Sequence, residues 1–247
     1  PIRTIAAMLS KLLCVLVNRE TLLPGGRAAP VVLALGVPRY AEAVSIVVLG
    51  QNSTPHGNAA GKAAVRALVS GALDDPATTR IVIRGGPDNP DAFAAAGPAR
   101  LMIAERLDVE VAYVAPVATP ATRRYGLPHG PAADTLAQSG NARAVPLIRD
   151  DAATVLLGRA RQLGEGGAKL HGESYVDNER LFTGDVRGVV IEPLPEAPGV
   201  RARLDHPLRR RWETGRAAQT GGTNLVVERE GVLTDRVVKR STFYRHH

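Results

Sequence analysis

Val44-Ser45-Ile46-Val47-Val48-Leu49-Gly50 and Arg80-Ile81-Val82-Ile83-Arg84-Gly85-Gly86 decide the fold of this chain. Each is a short apolar run rich in β-branched residues that passes directly into glycine and polar residues, as a strand buried on both faces does. Between them, Asn58 to Leu73 sets Gly61, Val65, Leu68, Val69 and Ala72 on one helical face and Lys62, Arg66 and Ser70 on another, the pattern of an amphipathic helix. Asp74-Asp75-Pro76 ends that helix. Together the segments predict one βαβ crossover. In an open parallel sheet the crevice at the carboxyl ends of the strands receives ligands, which directs attention to Gln51 to Asn58 and Gly85 to Asp91.

Working outward, Pro98 suits the first turn of a helix running to Leu107, with one helical turn before it from Asp91 to Ala96. Asp108 to Val114 returns as a strand. The resulting β-α-β-α-β order is that of a parallel α/β layer. Upstream, Ile5, Met8, Leu9, Leu12, Leu13 and Leu16 fall at helical spacing, so Ile2 to Val17 is predicted as a core or docking helix, with a targeting segment as the alternative. It is too short and too charged for a membrane span. Val31 to Leu35 reads as a strand.

From Pro116 to Pro146 the composition turns to proline and glycine, a loop-like crossover and the best place for a boundary. Beyond it strands dominate: Ala153 to Leu157, Arg187 to Ile191, Val200 to Leu204 and Asn224 to Glu228. Glu230-Gly231 punctuates the last, and Arg236 to Tyr244 is its returning hairpin partner. The expected fold is α/β, a parallel sheet with flanking helices followed by a β-rich C-terminal part. Its predicted layout is an α/β layer over 1–116, a crossover over 117–146 and a β-rich region over 147–247.

The chain has 247 residues, 45% hydrophobic and 22% charged, which excludes global disorder and suffices for a large core. Its only cysteine, Cys14, excludes a disulfide framework. Placed among Leu9, Leu12, Leu13 and Leu16, this thiol is expected to be buried and slow to react with thiol reagents. Lysine occurs only at Lys11, Lys62, Lys169 and Lys239, an arginine bias that fits coding in a high-GC bacterium. Residues 199–247 hold eleven Arg and Lys against five acids, nearly all of the net charge of +7.

The candidate site is the strand-end crevice. His56 is the catalytic candidate, because an imidazole titrates near neutrality and can act as a general base. Gln51, Asn52, Ser53, Arg84, Gly85, Gly86 and Asp88 are the ligand-binding candidates, with backbone amides and Arg84 offered to an anion. No G-x-G-x-x-G and no G-K-[ST] occurs, so no cofactor is expected. His129, and His171 near Glu173 and Asp177, lack the spacing of a zinc site, so no metal is expected either. Arg209, Arg210, Arg211 and Arg216 form a basic patch around Trp212, the only tryptophan. Arginines beside an aromatic can hold phosphates and stack a base. The flanking Asp205 and Glu213 favour instead a surface for a protein partner or for other domains of a larger polypeptide.

Residues 45–116, with a strand leading to His56-Gly57, a helix, a second strand, and a short Val-rich strand ending at Pro116, resemble the caspase-like α/β domains of large bacterial polymorphic-toxin proteins. In that family the second strand ends at the catalytic cysteine; here Arg84-Gly85 stands in its place. The resemblance therefore implies a non-catalytic caspase-like module, without thiol peptidase activity, of a secreted or surface protein. Two alternatives stand beside it: a small-molecule enzyme with His56 as base and Arg84 as anion anchor, and nucleic-acid binding through the C-terminal arginines.

Overall fold

The computed structural model describes residues 12–16, 45–50, 58–208 and 211–246. The chain is α/β, a parallel sheet with flanking helices followed by a β-rich C-terminal part. The first sheet has the order β2-β3-β4-β1-β5, formed by β1 (Leu12–Leu16), β2 (Ser45–Gly50), β3 (Thr78–Arg84), β4 (Glu110–Val114) and β5 (Ala142–Pro146). The pairs β2–β3, β3–β4 and β4–β1 are parallel, and β5 lies antiparallel to β1. The parallel βαβαβ unit thus stands as its apolar runs indicated.

Leu12–Leu16 corrects the helix expected over Ile2 to Val17: it is a strand, hydrogen-bonded on both sides by β4 and β5. A continuous apolar run matches a buried strand as well as a helical face, and periodicity alone does not separate them. Cys14 therefore sits in a central strand, opposite Ala144. The strand expected at Val31 to Leu35 lies outside the described residues.

Helix α1 (Asn58–Leu73) buries Val65, Val69 and Ala72. Helix α2 (Pro90–Ile103) is one continuous helix with Pro98 inside it, where two separate segments were expected. Nearly all of Asp91 to Met102 is buried, because α2 packs on β3 and β4 on one side and on the strand Val155–Leu156 of the second sheet on another. Burial against two layers outweighs the roughly 3 kcal/mol cost of an interior proline. The close approach needs small residues: a Cβ on Gly97 would lie 2.3 Å from Ile83 Cδ1.

The Pro/Gly-rich stretch is likewise more ordered than loop composition suggests. It carries α3 (Pro120–Tyr125) and α4 (Pro131–Ser139), each with proline in its first turn and glycine just past its end. Helix-terminal signals and loop signals use the same residues. Arg80, buried on β3, joins α4 to the sheet. Its guanidinium donates to the carbonyls of Ala137, Gln138 and Gly140 at 3.1, 3.2 and 2.9 Å and pairs with Glu110 at 2.6 Å.

The second sheet is antiparallel, with the path β13-β12-β11-β8-β14-β16-β6-β7 and with β9, β10 and β15 attached off it. These are β6 (Ile148–Asp150), β7 (Val155–Leu156), β8 (Ala160–Gly164), β9 (Leu170–Val176), β10 (Glu179–Val186), β11 (Gly188–Pro193), β12 (Val200–Leu204), β13 (Glu213–Gly215), β14 (Ala217–Arg229), β15 (Val232–Leu233) and β16 (Val238–Arg245). β16 does pair antiparallel with β14, but through Ala217 to Gly221; of the expected Asn224 to Glu228 segment only Leu225 faces it, at Val238, and that segment pairs instead with β8 and β15. The first core, between α1, α2 and the parallel sheet, continues into Val145, Leu147, Val155 and Leu157. A second core, including Leu170, Ile191, Leu225 and Phe243, lies within the β-rich part.

Candidate functional site

The loop that leaves β3 is shaped by its glycines. Gly85 donates its N–H to the Val114 carbonyl at 2.9 Å, and a Cβ there would lie 2.5 Å from Pro90 Cβ, so the chain folds tightly back onto the first turn of α2. Gly86 is buried, whereas Asp88 and Asn89 are exposed. Asn89 caps α2 with φ of 46°, in the left-handed region that asparagine tolerates better than most residues.

Asp91, in the first turn of α2, ties this loop to the neighbouring strand and helix. Its Oδ1 accepts from the Tyr113 hydroxyl at 2.8 Å and its Oδ2 from the Ala121 N–H at 3.0 Å. A buried carboxylate at the start of α3 thus supplies the negative charge that helix N-termini favour. Thr119 completes that terminus with a reciprocal cap: Thr122 N donates to Thr119 Oγ1 at 3.1 Å and Thr119 N to Thr122 Oγ1 at 2.8 Å. Burial, then the nearby Asp91 charge, pushes the Tyr113 phenol well above its ordinary value, so it acts as a neutral donor.

Glu230, in the turn between β14 and β15, closes the joint from the other side. Its carboxylate accepts from the N–H groups of Leu157 at 2.6 Å, Gly158 at 2.9 Å and Arg159 at 3.2 Å. Burial raises its pKa from 4.5 to about 7, with the Asp91 charge adding to the rise and the three amides opposing it. Both Glu230 and Gly231 have positive φ, and a Cβ on Gly231 would lie 3.3 Å from Asn89 Oδ1. The turn of the β-rich part therefore abuts the loop at the carboxyl end of β3. Beside it is a cavity of about 60 Å³ lined by Ala92, Ala95, Thr154, Arg229 and Glu230 among others. That is room for a few waters and far below the volume of a small-molecule site. Glu230 is a latch holding a proton that titrates near neutrality.

Of the residues singled out from sequence, Gly85, Gly86 and Asp88 line this loop. Arg84 is at its start, but its guanidinium pairs with Asp134 of α4, so its charge is already matched. Gln51, Asn52, Ser53 and His56 lie outside the described residues. Asp91 closed the stretch Gly85 to Asp91 singled out from sequence but was not among the candidate residues, and Glu230 was missed. Asp91 carried the signal of an acid just after a helix-initiating proline, whereas Glu230-Gly231 showed only as turn punctuation.

Elsewhere, His129 is exposed, His171 Nδ1 lies 2.9 Å from Asp185 Oδ1, and Asp177 accepts from the N–H groups of Arg216 and Ala217. Among the described residues no group of three or more His, Cys, Asp or Glu could hold a metal ion, and no helix is long and apolar enough to cross a membrane. In the basic patch, Arg209 and Arg210 lie outside the described residues. Arg211 pairs with Glu213 at 2.8 Å, and Arg216 is exposed. The Trp212 ring meets the Arg201 and Arg203 guanidinium carbons at 4.1 and 5.0 Å, and Arg201 also pairs with Glu192 at 2.5 Å. With the ring covered by its own arginines, replacing Arg209, Arg210 and Arg211 by Ser is expected to change stability by less than about 1 kcal/mol. No salt-dependent DNA or RNA binding is expected near physiological ionic strength in either form, as read by fluorescence anisotropy.

No family model matches the chain, and neither does any curated protein. Among solved structures it aligns with an NAD kinase from Archaeoglobus fulgidus in complex with ATP, at 10% identity and a TM-score of 0.48, covering 82% of this chain and 90% of that one. It also aligns with the yeast NADH kinase complexed with NADH, at 9% identity and a TM-score of 0.44, covering 82% and 80%. Both alignments extend far beyond residues 45–116, and neither structure is a caspase-like domain. The caspase-like resemblance is corrected accordingly, and with it the reading as a non-catalytic module of a polymorphic toxin. The physical reason is that a βαβαβ unit with an apolar strand, a helix and a second apolar strand recurs throughout parallel α/β proteins. Four or five residues at strand ends do not distinguish among them.

Proposed function

We propose that the chain is a small-molecule enzyme whose ligand occupies the crevice at the carboxyl edge of the parallel sheet. The observation that carries this reading is where the joint lies, with the ligand in the crevice outside it and not in the cavity of about 60 Å³ within. The loop after β3, the start of α3 and the β14–β15 turn meet at the strand ends, held together by Asp91 and Glu230. Ligand sites of open α/β sheets occur at that edge, and sites between two structural units are common. β2 ends at Gly50 on the same edge, and His56, six residues further along the chain, is the general base we assign to this reaction. Arg84, matched by Asp134, is left to orient α4 and takes no part in holding an anion.

The test is a thermal-shift and calorimetric titration with ATP and NADH, the ligands bound in the two aligned structures, followed by the same titration of Asp88→Ala and His56→Ala. A ligand held at about 100 times its Kd stabilises by about 2.7 kcal/mol, a rise of a few degrees for a chain of this size. The expected result is such a rise with at least one of the two, reduced at least tenfold in affinity in Asp88→Ala, while His56→Ala still binds. The absence of a rise with both nucleotides at millimolar concentration, or an unchanged affinity in Asp88→Ala, overturns the reading.

A further inference from the structure

A second cavity, of about 430 Å³, opens on the β-rich part and shares no lining residue with the joint. Its floor is Leu163 of β8 and Val226 of β14, which face each other in register on the side of the sheet away from Leu225 and Val227 of the second core. Leu233, half-exposed on β15, adds a third apolar wall. The volume lies within the range of sites that enclose small ligands.

The rim is cationic. Arg161 is matched by Asp205, 2.6 Å away, and by Glu228 at 3.5 Å. Lys169 and Arg187 also line the cavity, and neither side chain has an ion-pair or hydrogen-bond partner among the described residues. Two unmatched positive charges therefore face an apolar floor. Between Arg161 and Lys169 along the chain, Gly166 and Gly167 adopt φ of 60° and 80°. A Cβ at either would meet nothing within 4 Å, so the wall they form is bare backbone with open space before it.

We infer that this cavity binds a phosphomonoester on a small apolar or aromatic body, the phosphate between Lys169 and Arg187 and the body on Leu163, Val226 and Leu233. A phosphomonoester carries close to two negative charges at neutral pH and would meet Lys169 and Arg187, the two cations of a rim whose third, Arg161, is held by Asp205 and Glu228. Arginine grips phosphate through paired N–H donors, and lysine acts as a point charge. The apolar floor separates such a ligand from inorganic phosphate, because only the ester gains from burying its body.

Isothermal titration of the whole chain with phenyl phosphate, inorganic phosphate and phenol tests this at physiological salt. Phenyl phosphate is expected to bind once per chain, with phosphate and phenol each at least about tenfold weaker, since each makes half of the contacts. Replacing Lys169→Ala together with Arg187→Ala is expected to weaken phenyl phosphate by about ten- to a hundredfold. The unfolding midpoint should stay in place, because both side chains are exposed and unpaired. Leu233→Ser is expected to weaken phenyl phosphate and leave inorganic phosphate unchanged. Equal affinity of the double variant, phosphate binding as tightly as its phenyl ester, or no heat with phenyl phosphate at about 5 mM overturns the inference. Because the joint at Asp91 and Glu230 contributes no residue to this cavity, each of these results stands apart from the outcome with ATP and NADH.

Discussion

Glu230→Ala is expected to destabilise the chain by about 3 kcal/mol in urea unfolding at acidic pH, as it leaves the N–H groups of Leu157, Gly158 and Arg159 without their acceptor. Glu230→Gln keeps one carbonyl oxygen for Leu157 and Gly158 but turns an NH2 toward Arg159, at a smaller cost of about 1–2 kcal/mol. The two variants separate further with pH. Burial raises the Glu230 carboxyl from 4.5 to about 7 in the folded chain, so between those values the folded state holds more protons than the unfolded. Stability from this group is therefore fully present below about pH 4.5 and falls as pH rises toward 7, by about 3 kcal/mol in all. Wild type should lose stability relative to Glu230→Gln over that window, so that near pH 8 the glutamine variant equals or exceeds it. A pH-independent difference between the two would show that Glu230 is ionised throughout and that its amide partners outweigh its burial.

Arg80→Met should cost about 3–5 kcal/mol, because it strips a nearly buried cation from a site built around it. In its absence the carbonyls of Ala137, Gln138 and Gly140 lose their donors and Glu110 loses its partner. Arg80→Lys should recover less than half of the loss, since an ammonium cannot reach the helix end and the carboxylate together as the planar guanidinium does. Hydrogen exchange is the discriminating measurement: the amides of α4 should lose protection in Arg80→Met well before those of β3. If α4 stays protected, the helix is held by its own Ala133 and Ala137 packed on Val82, Ala112 and Val114 of the sheet, and the guanidinium is dispensable.

Much of the fold was legible in local patterns. Ile46 to Leu49 and Ile81 to Ile83 are β-branched runs ended by glycine, and Asn58 to Leu73 has a one-faced apolar stripe. Such features are properties of a few adjacent residues, which is why the parallel βαβαβ unit could be read from them. The helices of the Pro/Gly-rich stretch could not, because Pro120 and Pro131 at helix starts and Gly126 and Gly140 at helix ends look the same as turn residues until the segments between them find something to pack on.

What the sequence by itself determined, then, is the class of fold. Tertiary structure alone decided that Leu12–Leu16 is a strand, since only β4 and β5 on either side supply the hydrogen bonds that an apolar run needs in place of helical ones. It alone also brought Asp91 and Glu230, far apart in the chain, to one joint, and set Lys169 and Arg187 on one rim. A charge acquires a role from what faces it across space, and the partners here are backbone amides and side chains from distant strands. No spacing along the chain encodes those distances.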